Sequence, residues 1–251
     1  MLNWLGRAIT RYLTQPLATC SSSLPTGTEA VERTARAGDV LLVEGRERIS
    51  SAIRYLTQST WSHAALCVGQ DAITGAVQFV ETDAAQGVRL VHVDHYKGYH
   101  MRLCRPVGLS PEAIDAVCDY AKARIGDTYD IRNVLDLARY LFPAPPVPRP
   151  WRRRMIALGS GDPTKAICST LIAQAFDSVR YPILPKITQQ QSQDNDCVNC
   201  IEDILHIRHF SLYTPRDFDV SPFFEIVKPT LAADFDYRSL TWSVAEGQEA
   251  G

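Results

Sequence analysis

Apolar and polar positions along the chain fall into two regimes, strand-like in the first half and helical in the second. Gly38-Asp39 is a turn signal leading into the unbroken run Val40-Leu41-Leu42-Val43, short and β-branched as a buried strand is. Ile49 to Tyr55 reads as a short helix. Ser62 to Val68 and Ala76 to Glu81 read as strands separated by a polar loop with Asp71, Thr74 and Gly75, for which a hairpin is the simplest connection. Val88 to Val93 and His100 to Arg105 add strands, so the first half supplies an antiparallel sheet. Ser110-Pro111-Glu112 then starts a helix, with a capping hydroxyl, proline at the first helical position and an acid in the first turn. Its apolar stripe is Ile114, Val117, Cys118, Ala121 and Ile125, and Gly126 ends it. Ile131 to Phe142 is a second helix, stopped by Pro143, and Ile167 to Phe176 a third, buried through Leu171, Ile172 and Ala175. Strands first and helices later, without βαβ alternation, predict an α+β fold in which an antiparallel sheet packs against helices.

Flanking segments carry less pattern. Residues 2 to 13 place Leu2, Leu5, Ile9 and Leu13 at helical spacing with Arg7 and Arg11 facing elsewhere, an amphipathic helix that docks on the domain or lies on a membrane surface. Residues 19 to 37 read as a linker. Leu17-Ala18-Thr19-Cys20 is close to a lipid-attachment box, but Arg7, Arg11, Thr14, Gln15 and Pro16 interrupt any apolar lead-in. The organisation predicted is an N-terminal helix and linker over 1–37, one domain over 38–230 and an extension over 231–251. Within the domain, residues 143–154 hold five prolines, Trp151 and Arg149, Arg152, Arg153 and Arg154, an irregular insertion. It is either a solvated basic loop or a surface for anionic ligands bordering the cleft.

Composition narrows the partners. Twenty-six basic against 28 acidic residues, net charge -2, give no field for gripping a phosphate backbone, which argues against nucleic acid. No apolar run approaches the roughly 18 residues that would span a bilayer. Seven cysteines, an odd and scattered set, suit a reducing compartment rather than a disulfide framework. The expectation is a cytoplasmic protein, with peripheral membrane contact through the N-terminal helix or the 149–154 stretch as the open alternative.

Three residues stand out chemically: His63, Glu81 and Cys168. A thiol nucleophile needs a base, and the base works better when a third group fixes its ring. Cys168 sits where the chain enters a helix after Asp162-Pro163-Thr164-Lys165, and the positive end of a helix dipole favours a thiolate and an oxyanion. Cys67, Cys104 and Cys118 occupy strand or apolar-stripe positions that suit inert, buried thiols. A hairpin register centred on Ala72 would make His63 and Glu81 direct partners, with Cβ atoms about 4.5 to 5.5 Å apart. A slip of one residue would separate them onto opposite faces. Glu81→Gln, which keeps an acceptor oxygen, is expected to cost less than His63→Ala or Cys168→Ala.

The order Gly38-Asp39-Val40-Leu41-Leu42, Trp61-Ser62-His63-Ala64-Ala65-Leu66, Val80-Glu81 and Ile167-Cys168-Ser169 resembles the circularly permuted papain-like amidases of the YiiX and YebB type. These belong to the NlpC-related superfamily and are similar in architecture to lecithin:retinol acyltransferase. Gly126-Asp127-Thr128-Tyr129-Asp130 looks like the family's Gly-x-x-Tyr-Asp turn, and Thr214-Pro215-Arg216-Asp217-Phe218 like its closing element, so the resemblance spans residues 38 to 219. It implies a circularly permuted papain-like fold in which the histidine precedes the cysteine, with Cys168 as nucleophile, His63 as base and Glu81 as the orienting residue. Ile167 departs from the aromatic residue that many relatives carry just before the cysteine. The activity implied is hydrolysis of a peptide or acyl amide without a cofactor. A lipid thioesterase or acyltransferase using the same thiol remains the alternative.

One constellation points elsewhere. Cys197-x2-Cys200 and His206-x2-His209 have the residue types of a zinc site, which would make the chain a zinc-stabilised binding module. Only five residues separate the pairs, and Val198, Ile201, Ile204 and Leu205 suit a helix, so an ordinary helix is the expectation.

Overall fold

The computed structural model describes residues 24–83, 86–127, 167–191, 201–206 and 209–232, together with Asp236 and Arg238. The expected helices over 2–13 and 131–142, Cys20, the insertion over 143–154, the polar lead-in to Cys168, residues 128–130 of the Gly-x-x-Tyr-Asp turn, and Cys197 and Cys200 lie outside those residues.

The fold is α+β. Its centre is a six-stranded antiparallel sheet in the order β4-β3-β2-β1-β5-β8. The strands are β1 (Val40–Glu44), β2 (His63–Gln70), β3 (Val77–Asp83), β4 (Gly87–His92), β5 (His100–Pro106) and, last in the chain, β8 (Phe224–Val227). Val40 to Val43 of β1 form an unbroken apolar run because the strand pairs with β2 on one side and β5 on the other, and all five of its residues are buried. Val40 and Leu42 face one apolar cluster, Leu41 and Val43 the other.

The first cluster is filled by α3 (Pro111–Lys122) and α4 (Ile167–Ser178), which contribute Val117, Cys118 and Ala121, and Leu171, Ile172, Ala175 and Phe176. α3 starts as expected: Pro111 is its first residue and the Ser110 hydroxyl accepts from the Ala113 N–H at 3.2 Å. It ends one turn earlier than its stripe suggested, leaving Ile125 exposed in the turn before Gly126. The second cluster is covered by α1 (Thr28–Thr34), through Val31, and by a 3-10 turn over Val93–Tyr96.

α1 lies in the segment expected to be linker. Val31 is fully buried, and Thr26 both donates to the Met101 carbonyl and accepts from the Met101 N–H, so this stretch belongs to the domain. Its single core-facing turn is too short to show as a period. α2 (Arg48–Thr57) connects β1 to β2, as predicted.

The helix expected over 198–205 is corrected. Ile201–His206 is a strand, β7, paired antiparallel with β6 (Lys186–Gln191). Ile201, Ile204 and Leu205 have helical spacing, and the partner strand overrides it by supplying the backbone hydrogen bonds. His206 closes that strand, and His209 follows it with its ring 4.0 Å from that of Phe210.

Candidate active site

The hairpin of β2 and β3 carries two of the three predicted residues. Its turn is built by Asp71, whose Oδ1 accepts from the N–H groups of Ile73 and Thr74 and from the Thr74 hydroxyl. Next to the turn, Gly69 pairs with Gln78 and Gln70 with Val77. Continued unchanged, that register would set Glu81 opposite Leu66, on the face away from His63. A β-bulge between Cys67 and Gly69 absorbs one residue, after which Cys67 pairs with Phe79 and Ala65 with Glu81. His63 and Glu81 therefore share a face as diagonal neighbours, in a register centred on Ile73 and not on Ala72.

Gly69 makes the bulge affordable, at φ 104° where a Cβ is disfavoured. Gly69→Ala meets no atom within 4 Å, so its cost is conformational, about 1–3 kcal/mol. Urea unfolding should show that loss, and stability equal to wild type would mean that the bulge does not depend on glycine.

His63, the first residue of β2, places Nε2 2.6 Å from Glu81 Oε2. Its side chain is 24% exposed and that of Glu81 3%. The other group that acts on the imidazole is the thiol of Cys168, in the first turn of α4 and buried. All three predicted residues thus meet at one end of the sheet. Burial opposes the His63 imidazolium, but the hydrogen bonds and charges of Cys168 and Glu81 hold it well above the ordinary histidine range.

Glu81 is more heavily engaged than its sequence position suggests. Arg89, its cross-strand partner on β4, donates through Nε to Oε1 at 2.7 Å, with its NH2 at 2.6 Å from the same oxygen. The Tyr96 hydroxyl, from the 3-10 turn, donates to Oε2. His95 Nε2 stands 3.6 Å from Oε1, and its ring packs edge-on against Tyr96. Burial works against ionisation here, yet the hydrogen bond and charge of His63, the Tyr96 hydroxyl and the Arg89 charge hold the carboxyl far below the usual carboxylate range. Tyr96 is pushed up, by burial first and then by the Glu81 charge, and stays a donor.

No family model matches the chain, and no curated protein does. Among solved structures, that of metalloprotein yiiX from Escherichia coli O157:H7, DUF1105, is similar at 14% identity and a TM-score of 0.46, covering 77% of this chain and 96% of that one.

Arg89, Tyr96 and His95 were not singled out by sequence. Arg89 had a signal, a cation between apolar residues on a strand beside the Glu81 strand, while Tyr96 sits in an irregular turn that gives none. Among the described residues, no group of three or more His, Cys, Asp or Glu is arranged to hold a metal ion. Nor is any helix among them long and apolar enough to cross a membrane.

Proposed function

We propose that the chain is a cysteine hydrolase that cleaves an amide bond, in a peptide or an acyl amide, through an acyl-enzyme on Cys168. The fold that goes with this reading is the circularly permuted papain-like, NlpC-related one, with the histidine strand ahead of the cysteine helix. The observation that carries it is a single imidazole shared between a thiol and a buried, ionised carboxylate. With Nε2 held by Glu81, Nδ1 is the ring nitrogen left for the thiol.

His63 takes the Cys168 proton, and the thiolate forms a C–S bond to the carbonyl carbon as the carbonyl electrons move onto oxygen. N–H groups in the first turn of α4 have no intrahelical acceptor, and that of Cys168 serves the oxyanion. Collapse breaks the C–N bond while His63 gives its proton to the leaving amine. A water then loses a proton to His63 and attacks the thioester, which releases the acid and returns the proton to sulfur. Glu81 orients the ring and favours its protonated form; its oxygens are already occupied by Arg89 and Tyr96, so it carries no proton. The chemistry calls for no cofactor.

The test is acid-quenched intact-mass and peptide mapping of the full chain with a panel of peptide and acyl amides. The expected result is an acyl adduct on the Cys168 peptide that is absent from Cys168→Ala. Amide cleavage that survives in Cys168→Ala would overturn the reading, and transfer of the acyl group to an acceptor other than water would redefine it as an acyltransferase.

A further inference from the structure

A second feature is linked through the chain to the segments that carry the thiol and the imidazole. A cavity of about 270 Å³ is lined by Gln58 to Trp61 on one side, by Arg216, Asp219 and Val220 on another, and by His100 and Arg102. Each wall is a short stretch of chain away from one of the reacting residues. Trp61 precedes His63 by two residues, about 7 Å of extended chain. Opposite it, the Ser169 hydroxyl, one residue after Cys168, donates to the Tyr213 carbonyl at 2.6 Å. That bond ties the first turn of α4 to the start of α5 (Pro215–Asp219), which carries Arg216 and Asp219. A capping box between Thr214 and Asp217 fixes the entry to α5 and so the position of Arg216.

The charges of the cavity do not cancel. Arg102 is matched: its NH1 lies 2.6 Å from Asp219 Oδ1, and its guanidinium sits 5.0 Å from the centre of the Trp61 ring, which in turn stacks on His100. Arg216 is exposed, donates through NH1 to the Thr57 carbonyl at 3.1 Å, and is bound to no acid among the described residues. A guanidinium has five N–H donors, so most of its fork is open to a ligand. The volume decides how much of a ligand fits. At about 270 Å³ the space falls below the roughly 300–1,000 Å³ of whole-ligand pockets, and suits one group of a larger molecule.

We propose that this cavity is the subsite for an anionic group, a carboxylate or a phosphate, on the substrate attacked by Cys168, with Arg216 as its direct contact. The proposal rests on the Cys168 hydrolase reading for its role but not for its binding chemistry. Arg102 and Asp219 act as a matched pair that shapes the wall, and Arg216 supplies the charge. A guanidinium grips either anion through paired hydrogen bonds.

The test compares two thiol reagents on the full chain at low salt, N-iodoacetyl-4-aminobutyrate and its uncharged methyl ester. The carboxylate reagent is expected to modify Cys168 about tenfold faster than the ester, the gain of one charge-assisted hydrogen bond. That ratio should fall toward one in Arg216→Gln, and in the wild type as salt is raised. A wild-type ratio of one or less, or a ratio retained in Arg216→Gln, overturns the subsite. If no haloacetyl reagent reaches Cys168, the hydrolase reading falls, and calorimetric titration with inorganic phosphate and with succinate then decides the subsite alone. Binding of either anion that weakens about fivefold in Arg216→Gln supports it, and whichever binds names the group; binding of neither, or binding indifferent to Arg216→Gln, overturns it.

Discussion

Glu81→Ala is expected to lower the free energy of unfolding by about 3–5 kcal/mol, the cost of breaking a buried ion pair by removing one partner. The change takes from Arg89 its buried partner, leaving it Gln86 and Asp83, and takes the acceptor from Tyr96 and His63 at once. Glu81→Gln, expected to lose less activity than His63→Ala or Cys168→Ala, still costs stability. Both carboxylate oxygens accept from donors, so the amide N–H2 must face one of them, and the expected loss is about 1–3 kcal/mol. The pH dependence follows from a carboxyl held low. The stabilisation is present above the unfolded value of about 4.3 and is lost as pH falls through the lower folded value. His63, held high, acts in the opposite sense: its contribution is present below about 6.5 and is lost as pH rises through the folded value. Denaturant unfolding of wild type and Glu81→Ala from pH 3 to pH 7 measures the acid limb, which should flatten in the variant. An acid limb equally steep in both would place the stabilisation elsewhere.

His63→Ala should separate chemistry from stability. Amide cleavage is expected to fall by about 10²- to 10⁴-fold, the range for a positioned acid–base group. Glu81 keeps Arg89 and Tyr96 as partners in this variant, so the melting temperature should move only by about a few degrees. Alkylation of the Cys168 thiol should also slow when the ring is removed. A folded His63→Ala with wild-type cleavage would remove His63 from the mechanism.

Sequence made the centre of the fold legible wherever a segment has one dominant environment. β1 is covered on both faces and reads as a continuous apolar run, and α3 carries its cap, its proline and its buried stripe in order. The candidate site was legible only as residue types. The pairing of His63 with Glu81 depends on a bulge that corrects the register set by the turn, and Gly69 inside the strand was its one trace. Arg89 and Tyr96 reach Glu81 from a neighbouring strand and an irregular turn, a convergence that no local period encodes. The strand at Ile201–His206 differs for another reason: Ile201, Ile204 and Leu205 carry helical spacing, and pairing with Lys186–Gln191 overrides it.

Whether the thiol beside His63 is the reactive one is answered by limiting iodoacetamide near neutral pH, followed by peptide mapping of all seven cysteines. Burial pushes Cys67 up to about 12, which leaves a thiolate fraction of roughly 10⁻⁵ at pH 7, and it raises Cys104 and Cys118 as well. Cys168 is therefore expected to be modified first, and the order should be lost in His63→Ala. First modification of any other cysteine, Cys197 and Cys200 included, would contradict a nucleophile at Cys168.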